Sequence, residues 1–126
     1  MNIESVKSLF ILFSGKDELE KYMPLISLAM TETEKMLISS ESVNDVRIDF
    51  LCASIANYRL KQIEAACDRT ESVYAGKMLT TPDNSGTLMY AEKLMLDYMN
   101  LCAELIKPKT FMFMSFGSGT ENVEND

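Results

Sequence analysis

Hydrophobic residues recur every three to four positions through most of this chain, and every second position only near its end. The first rhythm is that of a helix with a buried face and the second that of a strand. Four helices and a small β element follow. The first helix runs from about Ile3 to Phe13, with Asn2 placed to cap it and Ser14-Gly15 to end it. The second begins at Asp17, where Glu20 completes a capping-box-like start, and stops near Ser39-Ser40. Its apolar set is Leu19, Tyr22/Met23, Ile26, Ala29/Met30 and Met36/Leu37. Pro24 falls inside that set, so either the helix starts near Pro24 after a turn or it kinks there.

The third helix is predicted from about Asp45 to Cys67. Val46, Phe50, Ala53, Ala56, Leu60 and Ile63 form one apolar stripe, and Ile48, Leu51, Ile55 and Tyr58 form a second on roughly the opposite side. A helix apolar on both sides is surrounded by protein, which makes this the central one. The small residues Cys52, Ala53, Ser54 and Ala56 let neighbours approach closely. Residues 68–71 read as a loop, and 72–80 as a weak strand punctuated by Gly76. Thr81–Gly86 is turn chemistry. The fourth helix spans about Thr87 to Ile106 and is closed by Pro108. Its main stripe is Leu88, Ala91, Leu94/Met95, Tyr98, Leu101/Cys102 and Leu105, with Met89 and Leu96 outside it. That apolar arc is wider than packing against one neighbour needs.

The two-residue rhythm belongs to Phe111, Met112, Phe113, Met114 and Phe116. Phe111 and Phe113 share one face of an extended strand, and Met112, Met114 and Phe116 the other. Burying each such side chain is worth about 1.5–3 kcal/mol, so leaving all of them in water would cost on the order of a domain's net stability. A lone strand also leaves its backbone groups without partners. The expected fold is therefore mainly α, a four-helix bundle-like domain over residues 1–116 with a small antiparallel hairpin pairing about 72–80 with 110–116. Residues 117–126 read as a disordered acidic tail.

At 126 residues the chain has the size of one domain, and 47% hydrophobic with 25% charged is an ordinary globular balance. No apolar run of about 18 residues suggests a membrane span. The net charge is −7. Three of the acids, Glu121, Glu124 and Asp126, lie in the last ten residues, where no base accompanies them. Such a balance disfavours clamping nucleic acid through its phosphates, yet does not exclude a wall that DNA slides past without sticking.

Candidate chemistry is sparse. The absence of histidine removes most hydrolase triads, most zinc sites and the helical di-iron pattern. Cys52, Cys67 and Cys102 fit reduced, half-buried thiols rather than a disulfide frame. Glu32, Glu34, Glu41, Asp45 and Asp49 read as solvated charge, with Asp49 and Glu64 as candidate buried partners for Arg47, Arg59 or Arg69. Gly76 and Gly86 are isolated and make no phosphate loop. Among ten methionines, Met89, Met95 and Met99 read as core filler, while Met112 and Met114 suit either a core or an adaptable partner surface. No catalytic residue, metal site or cofactor is expected. The surplus apolar positions are the candidate interface: Tyr74, Met78, Met89, Leu96, Phe111, Met112, Phe113, Met114 and Phe116.

The order of segments resembles a known family. A short first helix precedes GKDELEKYMPLISLAMTETEKML, RIDFLCASIANYRLKQIEA, YAGKMLTTPD, TLMYAEKLMLDYMNLCAELI and a closing FMF. This is similar to the small head-tail connector (adaptor, or head-completion) proteins of tailed phages and Firmicute prophages. Ala53, Ala56, Tyr58, Ala75, Gly76, Phe111 and Phe113 carry the match, over roughly residues 9–116. Lys77 departs from it, since an acidic residue tends to follow the Ala-Gly in that family. The resemblance implies a homo-oligomeric ring under the portal that lines the DNA channel, with portal and tail or stopper proteins as partners. It places the chain in the bacterial cytoplasm during assembly and then in the virion. A different class fits the same residues: a small cytosolic helical regulator or inhibitor that binds a single protein partner.

Overall fold

The computed structural model describes residues 1–75 and 85–108, with the backbone alone for 68–75 and 85. Its helices, in chain order, are α1 (Ile3–Ser14), α2 (Leu19–Met36), α3 (Val46–Ala75) and α4 (Ser85–Leu101), with a short 3-10 helix (Ser40–Asn44) between α2 and α3. The architecture is mainly helical and bundle-like, with α3 touching each of the other three helices.

Local chemistry sets the ends of α1 as expected. The Asn2 side chain accepts the N–H groups of Glu4 at 3.0 Å and Ser5 at 3.3 Å, two of the donors that a helix start leaves unpaired. Gly15 ends the helix in the left-handed region, φ 74°, and its N–H returns to the Ile11 carbonyl at 2.9 Å. A side chain there would be strained, and glycine is not. The start of α2 differs from expectation. Glu18, not Asp17, is the capping residue and no side chain closes the cap; Lys21 N–H bonds the Glu18 carbonyl at 3.1 Å instead. Pro24 lies inside α2 on its exposed side. The carbonyl it leaves without an intrahelical donor belongs to exposed Glu20, where water can serve it.

α3 is central, as its two apolar stripes required. Ile48, Leu51, Cys52, Ala53, Ile55 and Ala56 are all buried. Val46 and Ile63, at the ends of the first stripe, are instead exposed. The buried hydroxyls answer to their own helices: Ser54 donates to the Leu51 carbonyl and Thr33 to the Ala29 carbonyl, both at 2.7 Å. α1 runs parallel to α3, since Asn2 N–H meets Asp49 at 3.2 Å and Lys61 meets the Ser14 carbonyl at 3.5 Å. α4 runs antiparallel to it: Tyr98 packs on Phe50 with ring centres 5.5 Å apart, and Arg47 reaches Glu104 at 3.3 Å. Tyr98 also stacks on Phe13, 5.8 Å away, so α1, α3 and α4 meet at one aromatic cluster.

The expected hairpin is not seen. Ser72–Ala75 belong to α3, which continues through the expected loop at 68–71. Each added helical residue gains a backbone hydrogen bond, whereas a strand here would first need a partner. The remainder of that strand, residues 110–116 and the expected tail at 117–126 lie outside the described residues. The extended pairing among the described residues is elsewhere: Leu37 forms an antiparallel bridge with Ile106. Ile38 N–H bonds the Leu105 carbonyl at 3.0 Å, and Lys107 N–H bonds the Met36 carbonyl at 2.8 Å. α4 accordingly stops at Leu101, before the expected Ile106. Pro108 disfavours a helical Lys107, and the bridge supplies the partners that a longer helix would have supplied.

Asp45 caps the start of α3. Its Oδ1 accepts Arg47 N–H at 2.9 Å, and the Arg47 guanidinium grips both carboxylate oxygens, at 2.8 and 3.0 Å. These bonds hold the Asp45 carboxyl at about 2, below its usual 3.8. A depressed carboxylate stabilises the fold above its unfolded value and loses that contribution as pH falls through the folded one. The stability difference between wild type and Asp45→Asn, followed by urea unfolding, is therefore expected to be constant above pH 4 and to shrink between pH 4 and pH 2. A difference that does not change over that window would show that the capping carboxylate is not held by Arg47.

Candidate functional site

Three ion-pair groups tie the helices together. Arg47 joins Asp45 and Glu104, linking the start of α3 to the turn that follows α4. Arg59 joins α3 to α2 through Glu32 at 2.7 Å, and also bonds Gln62, which bonds the Tyr58 hydroxyl. Glu64 pairs with Lys16 at 2.9 Å and Lys61 at 3.4 Å. Burial pushes the Glu64 carboxyl up, but hydrogen bonding to Lys16 and the charge of Lys61 outweigh it and hold it below the usual range. Lys61 lies at the C-terminal end of α1, where a cation also suits the helix dipole. Among the described residues Asp49 pairs with no arginine; it is buried and accepts the Asn2 N–H. These groups are couplings between helices, and each of their charges is committed to a neighbour. Among the described residues no group of three His, Cys, Asp or Glu side chains could hold a metal ion.

The cysteines divide by environment. Cys52 and Cys102 are buried, and burial pushes their thiols up to about 12 and about 11, away from the reactive thiolate. Cys67 is exposed rather than half-buried, because α3 carries it past the level at which α1 ends. In the native protein one thiol of the three is expected to react promptly with a maleimide, and the other two only after denaturation. Prompt reaction of all three would mean that the helices around Cys52 and Cys102 do not pack as described.

A concave surface runs along the outer side of α4. Met89, Tyr90, Lys93, Leu96 and Asp97 line an open groove of about 550 Å³, with Lys93 and Asp97 3.6 Å apart on it. Met89 is 68% exposed and Tyr90 77%, while Leu96 is half-buried against the core. Met95 and Met99 are core residues, so of the methionines read as filler on this helix only Met89 faces outward. Leu101, placed in the main stripe by the sequence pattern, is also exposed.

No family model matches the chain, and no curated protein or solved structure is similar to it.

The structure thus brings Met89 and Leu96 of the expected interface set to one groove. Tyr74 lies in α3, described by its backbone alone. Met78, Phe111, Met112, Phe113, Met114 and Phe116 lie outside the described residues. Tyr90 escaped the sequence reading. Its signal was available, since Tyr90, Asp97 and Leu101 are seven and eleven residues apart and share one side of a helix. Leu12 of α1 and Leu28 of α2, 72% and 49% exposed, also escaped it. No helix among the described residues is long and apolar enough to cross a membrane.

Proposed function

We propose that this chain is a structural, non-enzymatic subunit of a phage or prophage head-tail connector, assembling as a ring under the portal and lining the DNA channel. One observation carries the reading: apolar side chains stand exposed on three different helices, Leu12 on α1, Leu28 on α2, and Met89 and Tyr90 on α4. A ring subunit meets two neighbours through two different surfaces, so it needs apolar area on more than one face. The segment order that resembles the connector family points the same way. The net charge of −7 suits a channel wall, because like charge discourages DNA from adhering.

The test is mass measurement in solution, for the protein alone and mixed with the portal protein of the same genome. The expected result is a complex with the portal holding several copies of this chain. A portal that leaves it unbound at concentrations near 100 μM would overturn the proposal. The reading as a regulator of a single protein partner draws on the α4 groove alone, and a one-to-one complex with the product of a neighbouring gene would favour it.

A further inference from the structure

The outer face of α4 is patterned like a surface that meets its own copy. Tyr90, Lys93, Asp97 and Leu101 follow one another at three- or four-residue steps, so they stand in one line along the helix, and all are exposed. Met89 stands beside Tyr90 and is exposed as well. The charges of this line are Lys93 and Asp97, placed symmetrically about the level of Met95. Tyr90 lies five residues before that level and Leu101 six after it, about 8 and 9 Å along the helix axis. We propose that α4 pairs antiparallel with α4 of a second copy of this chain, about a two-fold axis at the level of Met95.

A two-fold contact joins one patch to the same patch, so a residue before the axis meets one after it. Here it sets Lys93 of each copy opposite the partner's Asp97, and the match occurs twice. Lys93 and Asp97 already lie 3.6 Å apart within one chain, with side chains 73% and 57% exposed. So exposed a pair holds its charges weakly, and each can meet the partner's opposite charge as well. The four charges then alternate in sign around the axis. The same axis lays Met89 and Tyr90 against the partner's Leu101, so apolar side chains leave water at both ends of the contact. Methionine and tyrosine are among the residue types enriched at interfaces. A parallel arrangement would set lysine against lysine and aspartate against aspartate, and would align the two helix dipoles, all of it unfavourable.

The contact is one helix wide. It buries less than the roughly 800 Å² per partner of a standard interface, so the pairing is weak, with a dissociation constant on the order of 100 μM. An unrelated partner would need no symmetry in this face, whereas a second copy does. The inference concerns the free protein and does not rest on the connector reading: a ring joins two different surfaces, and this contact joins one surface to itself.

Charge reversal in the full chain tests it, read by sedimentation equilibrium from about 10 to about 500 μM. The wild type is expected to pass from monomer to dimer mass over that range. Lys93→Glu leaves two acids on the line and Asp97→Lys two bases, so either variant alone is expected to self-associate at least about tenfold more weakly. Mixed in equal amounts, the two variants set acid against base at both contacts and are expected to form a heterodimer at least as tight as the wild-type dimer. Both positions are exposed, and the helical circular dichroism of each variant is expected to match wild type. A wild type that stays monomeric to the top of the range would overturn the inference and leave the groove to a different protein. Single variants that dimerise as well as wild type would overturn it too, by assigning the pairing to another surface. So would a mixture of folded variants that forms no heterodimer. Failure to bind the portal would count against the connector proposal and leave this result untouched.

Discussion

Replacing Ile55 with Asp is expected to leave the protein unfolded at neutral pH. Ile55 is fully buried on α3, in the run from Ile48 to Ala56 where the central helix meets its neighbours. Truncating a buried isoleucine costs about 2–5 kcal/mol. An unpaired carboxylate buried in its place adds several kcal/mol more, because nothing there repays its lost hydration. A domain of this size has roughly 5–15 kcal/mol of stability in all. The two losses together meet or exceed the lower half of that range. Ile55→Val keeps the shape and is expected to cost only about 0.5–1.5 kcal/mol. Far-UV circular dichroism with urea titration separates the cases. A cooperative transition in Ile55→Asp, with a midpoint close to wild type, would mean that α3 is not the centre of the bundle.

Phe113→Asp is the second large effect, and it acts on association rather than on the helical core. If the segment 111–116 is buried against apolar surface, losing the phenylalanine forfeits about 1.5–3 kcal/mol. Burying an ionised carboxylate in its place adds several kcal/mol. At about 1.4 kcal/mol per factor of ten, docking of the segment should weaken at least 100-fold. The exposed Phe and Met side chains should then lower solubility or disrupt assembly, read as the soluble fraction after expression and as the mass of the associated species. A variant as soluble and as associated as wild type would show that the segment is not buried at all.

Both predictions draw on features the residue pattern revealed, but to different depths. The centrality of α3 was legible because two apolar stripes on one helix have a single physical solution, protein on both sides. The ends of α1 were legible because Asn2 and Gly15 each meet a local backbone demand. The start of the strand expected at 72–80 was not, since residues 72–75 continue α3. Val73 and Tyr74 favour a strand only weakly, whereas a helix already under way extends at the cost of one residue per hydrogen bond. The candidate groove was half legible: Met89 and Leu96 stood outside the main stripe, Tyr90 went unread although it shares a side with Asp97, and Leu101 was indistinguishable from a core position until α3 was in place.

Sequence alone determined what depends on near neighbours along the chain: helical class, most helix boundaries within a turn, the caps of α1, and which helix lies innermost. Those follow from spacing and from backbone groups that must be satisfied within a few residues. Tertiary structure decided what depends on distant partners. The pairing of Leu37 with Ile106, the grip of Arg47 on Glu104, the choice of Lys16 for Glu64, and the outward turn of Met89 and Tyr90 each join residues far apart in sequence or depend on where another helix lies. Periodicity states that a face is apolar; only the position of the neighbouring helix states whether that face is covered.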